Sequence, residues 1–164
     1  MGKYLLLYYT RYQTTLETAE KIKNRLGKDC RIAPISEGSK IIDDYSNIII
    51  GTPVIMGSIP KSVQKFCHQG HENLMNKNVF LYIHGLIWKN EYKNKINDFF
   101  NKELISHFNR IEYLGGKLDY NKMNFMKAFL FKKMSSSLGI DPDNPNNLET
   151  DRIEMFIKEL EKGL

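Results

Sequence analysis

Three hydroxyl side chains, Thr10, Thr14 and Thr15, crowd into one short polar stretch with Arg11, Tyr12 and Gln13 between them. An apolar run precedes them, Tyr4-Leu5-Leu6-Leu7-Tyr8-Tyr9. Leu16, Ala19, Ile22 and Leu26 follow at helical spacing, and Gly27 stops the pattern. The stretch therefore lies between a strand and a helix N-terminus. Free backbone N–H groups and the helix dipole favour an anion there. Threonine hydroxyls add donors, so a phosphate monoester suits the chemistry. The other reading is local: Thr14 or Thr15 caps the helix and binds nothing. The sequence contains neither G-x-G-x-x-G nor G-x-x-x-x-G-K-[ST]. That argues against a Rossmann dinucleotide site and a P-loop nucleotide hydrolase.

A second group of residues offers surface to a flat heterocycle. Ile55, Met56, Trp88 and Tyr120 supply apolar and aromatic faces, and Gly51, Gly57, Gly85, Gly115 and Gly116 would let backbone approach it. Core packing is the competing reading for each aromatic. His84 ends a strand close by, either bonding such a ring or satisfied within the structure. Cys67-His68-Gln69-Gly70-His71 has metal-ligand chemistry but matches no standard zinc spacing, so no metal site is expected. No Ser-His-Asp or Cys-His arrangement stands out, and hydrolysis has no support.

These residues need elements to position them. Arg31–Ile35 reads as a short strand, and Tyr45–Gly51 as a buried one, β-branched toward its end. Pro60 opens a helix to about His68. Asn78–Ile83 is another buried strand, ended by His84-Gly85. Tyr92–Phe108 carries Ile96, Phe99, Phe100, Leu104 and Phe108 at helical spacing. Arg110–Leu114 is a fifth strand, closed by Gly115-Gly116. Asn121–Ser137 reads as helical, residues 141–147 as a turn-rich loop, and Asp151–Glu161 as an amphipathic helix. Continuous apolar strands alternating with helices predict an α/β domain with a parallel sheet. Ligands of such sheets bind beyond the carboxyl ends of the strands. The loops there are Thr10–Thr15, Thr52–Gly57, His84–Lys89 and Gly115–Tyr120.

The chain has 164 residues and 41% hydrophobic content, enough for one core in one domain. Its net charge of +5 excludes a strongly acidic surface and suits an anionic partner. Two cysteines, Cys30 and Cys67, cannot form a disulfide framework and read as reduced, buried thiols. No apolar run reaches the roughly 18 residues of a membrane span, and residues 3–9 make no signal peptide. A cytoplasmic protein is expected, in contact at most with the inner face of the cell membrane.

The strand, threonine-rich loop and helix, followed by Ile49-Ile50-Gly51-Thr52-Pro53-Val54-Ile55-Met56-Gly57, resemble the flavodoxin-like FMN-binding family. More narrowly, Tyr9-Thr10-Arg11, Thr15, Ile50-Gly51, Met56-Gly57 and Gly115-Gly116-Lys117-Leu118-Asp119-Tyr120 resemble flavodoxin-type, menaquinone-dependent protoporphyrinogen dehydrogenases. The resemblance implies a three-layer α/β sandwich with a five-stranded parallel sheet of order 2-1-3-4-5. It implies one FMN, held without a covalent bond, whose isoalloxazine does the redox chemistry. Carried over by position, Thr10, Arg11, Tyr12, Gln13, Thr14 and Thr15 would hold the phosphate. Thr52, Pro53, Val54, Ile55, Met56 and Gly57 would flank the ribityl chain and ring. His84, Gly85, Leu86, Trp88, Gly116 and Tyr120 would bound the ring. The phosphate loop of the family commonly carries a glycine where Tyr12-Gln13 stand here. The implied partners are a quinone or a redox protein, with a tetrapyrrole such as protoporphyrinogen IX as substrate.

A basic helical insertion spans about 117–147. From Lys117 to Lys133 five lysines face one acidic residue, Asp119, with Met123, Phe125, Met126, Phe129, Leu130 and Phe131 interleaved. Such a segment rests on an anionic membrane, contacts a quinone or tetrapyrrole propionates, or simply covers the domain with snorkelling lysines. Nucleic acid is not expected, because the basic residues form no long stripe beside a reader motif.

Overall fold

The computed structural model describes residues 3–162. In chain order its elements are β1 (Tyr4–Tyr8), α1 (Thr14–Leu26), β2 (Cys30–Pro34), α2 (Gly38–Ile41), β3 (Asn47–Pro53), α3 (Lys61–Gln69), α4 (His71–Met75), β4 (Asn78–His84), α5 (Tyr92–Lys95), α6 (Lys102–His107), β5 (Arg110–Tyr113), α7 (Phe125–Ser135) and α8 (Thr150–Lys162). The strands form one parallel sheet in the expected order, β2-β1-β3-β4-β5.

Alternation along the strands sorts the apolar side chains into two layers. Leu5, Leu7, Ile48, Ile50, Leu81 and Ile83 pack on one face with Val63 and Cys67 of α3, Leu74 of α4, Tyr92 of α5 and Leu104 of α6. Tyr4, Leu6, Ile49, Phe80 and Tyr82 pack on the other, with Ala19 and Ile22 of α1 and Ile153, Phe156 and Ile157 of α8. Both faces of the central strands are thus covered, which is why their sequences run apolar without a break. Arg25 of α1 reaches Glu154 and Glu161 of α8 at 3.0 and 2.7 Å. Cys30 and Cys67 are free and buried in opposite layers. Burial pushes their thiols up to about 11 and about 12.

Three predicted elements differ. The helix expected over Tyr92–Phe108 is broken into α5, a short 3-10 turn at Ile96–Asp98, and α6. Asn101 starts the second piece, its side chain accepting from the Leu104 N–H at 2.7 Å. The apolar spacing ran straight through this cap. The helix expected over Asn121–Ser137 is shorter: α7 begins only after Asn124, which caps it by accepting from Lys127 N. At α1 the cap is neither Thr14 nor Thr15 but Gln13, and both threonines lie inside the first turn.

Candidate functional site

Thr10–Gln13 joins β1 to α1 at the carboxyl edge of the sheet. Its backbone is pinned at both ends. Tyr9 N donates to Gly51 O at 3.0 Å, and Gln13 O accepts the first helical bond from Glu17 N at 2.9 Å. Gln13 has φ 69° and ψ −19°, a left-handed conformation that favours glycine. A side chain therefore stands where the family's loop commonly carries glycine, and the loop takes a glycine-like geometry regardless. No side chain caps α1, so its first amides keep their donors free. The Thr10 hydroxyl is buried and has no hydrogen-bond partner. Thr14 Oγ1 donates to the Lys117 carbonyl at 3.3 Å. The loop thus holds an unused donor beside unused amides, the arrangement an anion needs.

The turn after β3 is built differently. Ile55 and Ser58 exchange two backbone bonds of 2.9 and 3.0 Å, while Met56 (φ 50°) and Gly57 (φ 76°) fill the tip. Positive φ at both central residues makes a tight reversal that glycine takes without steric cost. Met56 projects from it 89% exposed. Thr52 is fully buried in β3, and Val54 N donates to His84 O at 2.7 Å.

Of the two readings the sequence leaves for His84, the ring is satisfied within the chain. It is buried, and both ring nitrogens have protein partners: Nδ1 lies 2.7 Å from Gly115 O and Nε2 lies 2.8 Å from Thr18 Oγ1. A carbonyl only accepts, so Nδ1 carries the proton and Nε2 accepts from Thr18. Burial lowers the imidazole from 6.5 to about 4, against the opposing pull of the Gly115 bond. The ring is a neutral tie between β4, α1 and the loop after β5.

Trp88 is turned inward, whereas Tyr120 stays partly exposed. Trp88 is buried and stacks on Phe99 at 5.6 Å. The Trp88 backbone N–H donates to Tyr113 Oη, which itself donates to Gly85 O. Tyr120 donates its hydroxyl to Pro142 O at 2.7 Å and faces Phe131, so it braces the insertion. Gly116 spends its backbone on Asn147: its N–H donates to Asn147 Oδ1 and its carbonyl accepts from Asn147 N, both at 2.8 Å. Gly115 has φ 68°, and a Cβ there would lie 2.0 Å from Asn147 O. These glycines admit the protein's own backbone. Asn147 also donates to Leu86 O at 2.9 Å, tying two edge loops together. In the sequence it lies in a turn-rich loop; an asparagine that bonds backbone is a recurring device, but its distant partners are invisible in the sequence.

Residues 117–122 fold over the threonine loop. Lys117 pairs with Glu17 at 2.5 Å, and Lys122 Nζ lies 3.5 Å from Gln13 Oε1. Between them opens a groove of about 250 Å³ lined by Tyr12, Glu17, Lys117, Asp119, Lys122 and Asn146. Among the described residues no cluster of three or more His, Cys, Asp or Glu side chains could hold a metal. No described helix is long and apolar enough to cross a membrane.

A doubly wound sheet of order 2-1-3-4-5 with an open, donor-rich loop after its first strand defines the flavodoxin-like class. The flavodoxin domain family matches the chain over residues 5–144, and the chain belongs to it. Solved structures share the fold. The flavodoxin of Streptococcus pneumoniae TIGR4 is 16% identical with a TM-score of 0.56, covering 99% of this chain and 100% of that one. The Fusobacterium nucleatum flavodoxin bound to flavin mononucleotide is 17% identical with a TM-score of 0.52, covering 99% and 98%. Oxidised flavodoxin 2 of Bacillus cereus is 22% identical with a TM-score of 0.53, covering 73% and 86%. No curated protein matches the chain.

Proposed function

We propose that the chain binds FMN through the Thr10–Thr15 loop and works as a redox protein. The carrying observation is the buried Thr10 hydroxyl without a partner, next to the uncapped first turn of α1. A phosphate satisfies both. The left-handed Gln13 supports the same reading, because strained backbone persists where surrounding structure and function hold it. When bound, the isoalloxazine supplies the electron transfer. The chain's own residues do the rest. Thr10 and the α1 amides hold the phosphate, the turn at Ile55–Ser58 flanks the cofactor, and His84 keeps the edge loops in register without moving a proton.

The finer reading is oxidation of protoporphyrinogen IX with electrons passed to a quinone. Its support is the resemblance at Gly115–Tyr120 and the lysine-rich insertion beside the phosphate loop. An electron carrier for a partner protein is the competing use of the same site.

Titration of the apo-protein with FMN, followed by flavin fluorescence, tests the site, with riboflavin as control. Saturable quenching by FMN and weak quenching by riboflavin is the expected result. Equal affinity for both removes the phosphate assignment, and no quenching leaves a cofactor-free binding module. Turnover of protoporphyrinogen with a quinone, lost on deletion of residues 121–137 while FMN stays bound, separates the enzyme from the carrier. Undiminished turnover in that deletion excludes a substrate role for the insertion.

A further inference from the structure

α7 turns its apolar side chains outward. Phe125 is 85% exposed, Met126 77% and Phe129 62%, and Leu130, Met134 and Leu138 are also exposed. At about 100° per residue, positions 125, 126, 129, 130 and 134 cover about half the helix circumference, with Lys133 inside that arc and Lys127 and Lys132 at its two edges. Toward the domain the helix offers only Ala128, Phe131 and Ser135. An exposed patch of this size marks an interaction surface.

The charges on the same helix select the occupant. Lys127, Lys132 and Lys133 stand on α7 with no acidic residue among Phe125–Ser135. Lys132 has one distant acidic neighbour, Asp143 at 3.9 Å, itself almost fully exposed. Two copies packing through this face would bring like charges together. A helix docked in a protein groove shows a stripe at i, i+3, i+4 and i+7, whereas these residues spread broadly. Eleven residues make a helix of about 16 Å, far short of the hydrocarbon thickness, so it lies along a surface. A broad apolar face, long lysine stems and unopposed positive charge fit the headgroup layer of an anionic bilayer.

We propose that α7 is an interfacial helix that docks the protein on anionic lipid, with Phe125, Met126, Phe129 and Leu130 entering the acyl boundary and the lysines meeting headgroups. The proposal is independent of the flavin site. It does give that site a location, because Lys117 and Lys122 hold the base of the insertion against α1 and the Thr10–Gln13 loop.

Co-sedimentation of the full chain with phosphatidylglycerol vesicles, against phosphatidylcholine vesicles, tests it. Binding to the anionic vesicles alone, weakened by salt, is expected. Phe125→Ser with Phe129→Ser should lower that binding at least about tenfold, since each buried methylene contributes separately. Replacing Lys127, Lys132 and Lys133 by Gln should lower it about a hundredfold, at about fivefold per lysine. All five positions are exposed, so circular dichroism and the melting point should not change. Phe129→Trp adds a direct readout, a blue shift of emission on adding anionic vesicles. Wild-type protein left in the supernatant overturns the proposal, as does equal binding to both lipids or serine variants that bind as well as wild type. A dimer in light scattering that becomes a monomer in the serine variants overturns it in favour of a second copy.

Discussion

Two regions of the same sheet edge treat their polar groups in opposite ways. After β4 and β5, every polar atom singled out has a partner within the chain. His84 is bonded on both nitrogens, Tyr113 bonds Gly85 and Trp88, and Asn147 bonds Gly116 and Leu86. After β1, a buried hydroxyl and a helix start are left open, and the backbone at Gln13 is held in a costly conformation. Buried polar groups are nearly always paired, so an orphaned hydroxyl beside a free helix start marks the site and the satisfied neighbours mark the scaffold; the other orphan, His71 Nε2, lies 3.5 Å from Glu103, away from this edge.

That contrast can be attacked from either side. The largest effect should come from the scaffold. Gly115→Ala puts a methyl 2.0 Å from Asn147 O at a positive φ, and should lower unfolding free energy by more than about 3 kcal/mol in urea denaturation. An unchanged midpoint would mean the loop pairing is soft. Acid should act next, through His84. Its imidazole sits at about 4 when folded against an ordinary 6.5, so unfolding takes up a proton between those values. The stabilising contribution is complete above pH 6.5 and falls as pH drops toward 4, by up to about 3 kcal/mol. His84→Gln should flatten this part of the stability profile.

Smaller effects belong to the open loop. Thr10→Val should weaken FMN about tenfold, the loss of one charge-assisted bond, while leaving riboflavin affinity and stability unchanged or slightly improved. A drop in stability instead would place Thr10 on the scaffold side. Gln13→Gly relieves left-handed strain worth about 1–2 kcal/mol but adds chain entropy when unfolded. The net gain should be about 0.5–1 kcal/mol in thermal melts. A loss would show that the Gln13 side chain, 3.5 Å from Lys122, matters more than its backbone.

The sheet was legible because strands buried on both faces leave continuous apolar runs such as Leu5-Leu6-Leu7 and Ile48-Ile49-Ile50. The threonine loop was legible because residue type and position coincide at a helix start. The cap itself was not, since glutamine is no usual N-cap and only its backbone does the work. His84, Trp88 and Tyr120 follow strand ends, where the sequence suggests ligand contact. Spacing cannot tell whether a side chain at such an end turns out or in; His84 and Trp88 turn in, and Tyr120 stays partly exposed. The break at Asn101 was hidden because Phe99, Phe100 and Leu104 keep helical spacing across two separate helices.

Residues 117–146 close on themselves at their two ends. Lys117 bridges Asn146, and Leu118 N donates to Pro145 O at 3.0 Å, so the segment leaves and re-enters the domain at a single point. Closing a chain whose ends already touch costs little more as it lengthens, growing only with the logarithm of its size. Residues 119–144 therefore behave as an exchangeable cassette. Their length and composition can diverge, be trimmed to a tight turn or be grafted onto a relative, while the five strands and the threonine loop keep their geometry.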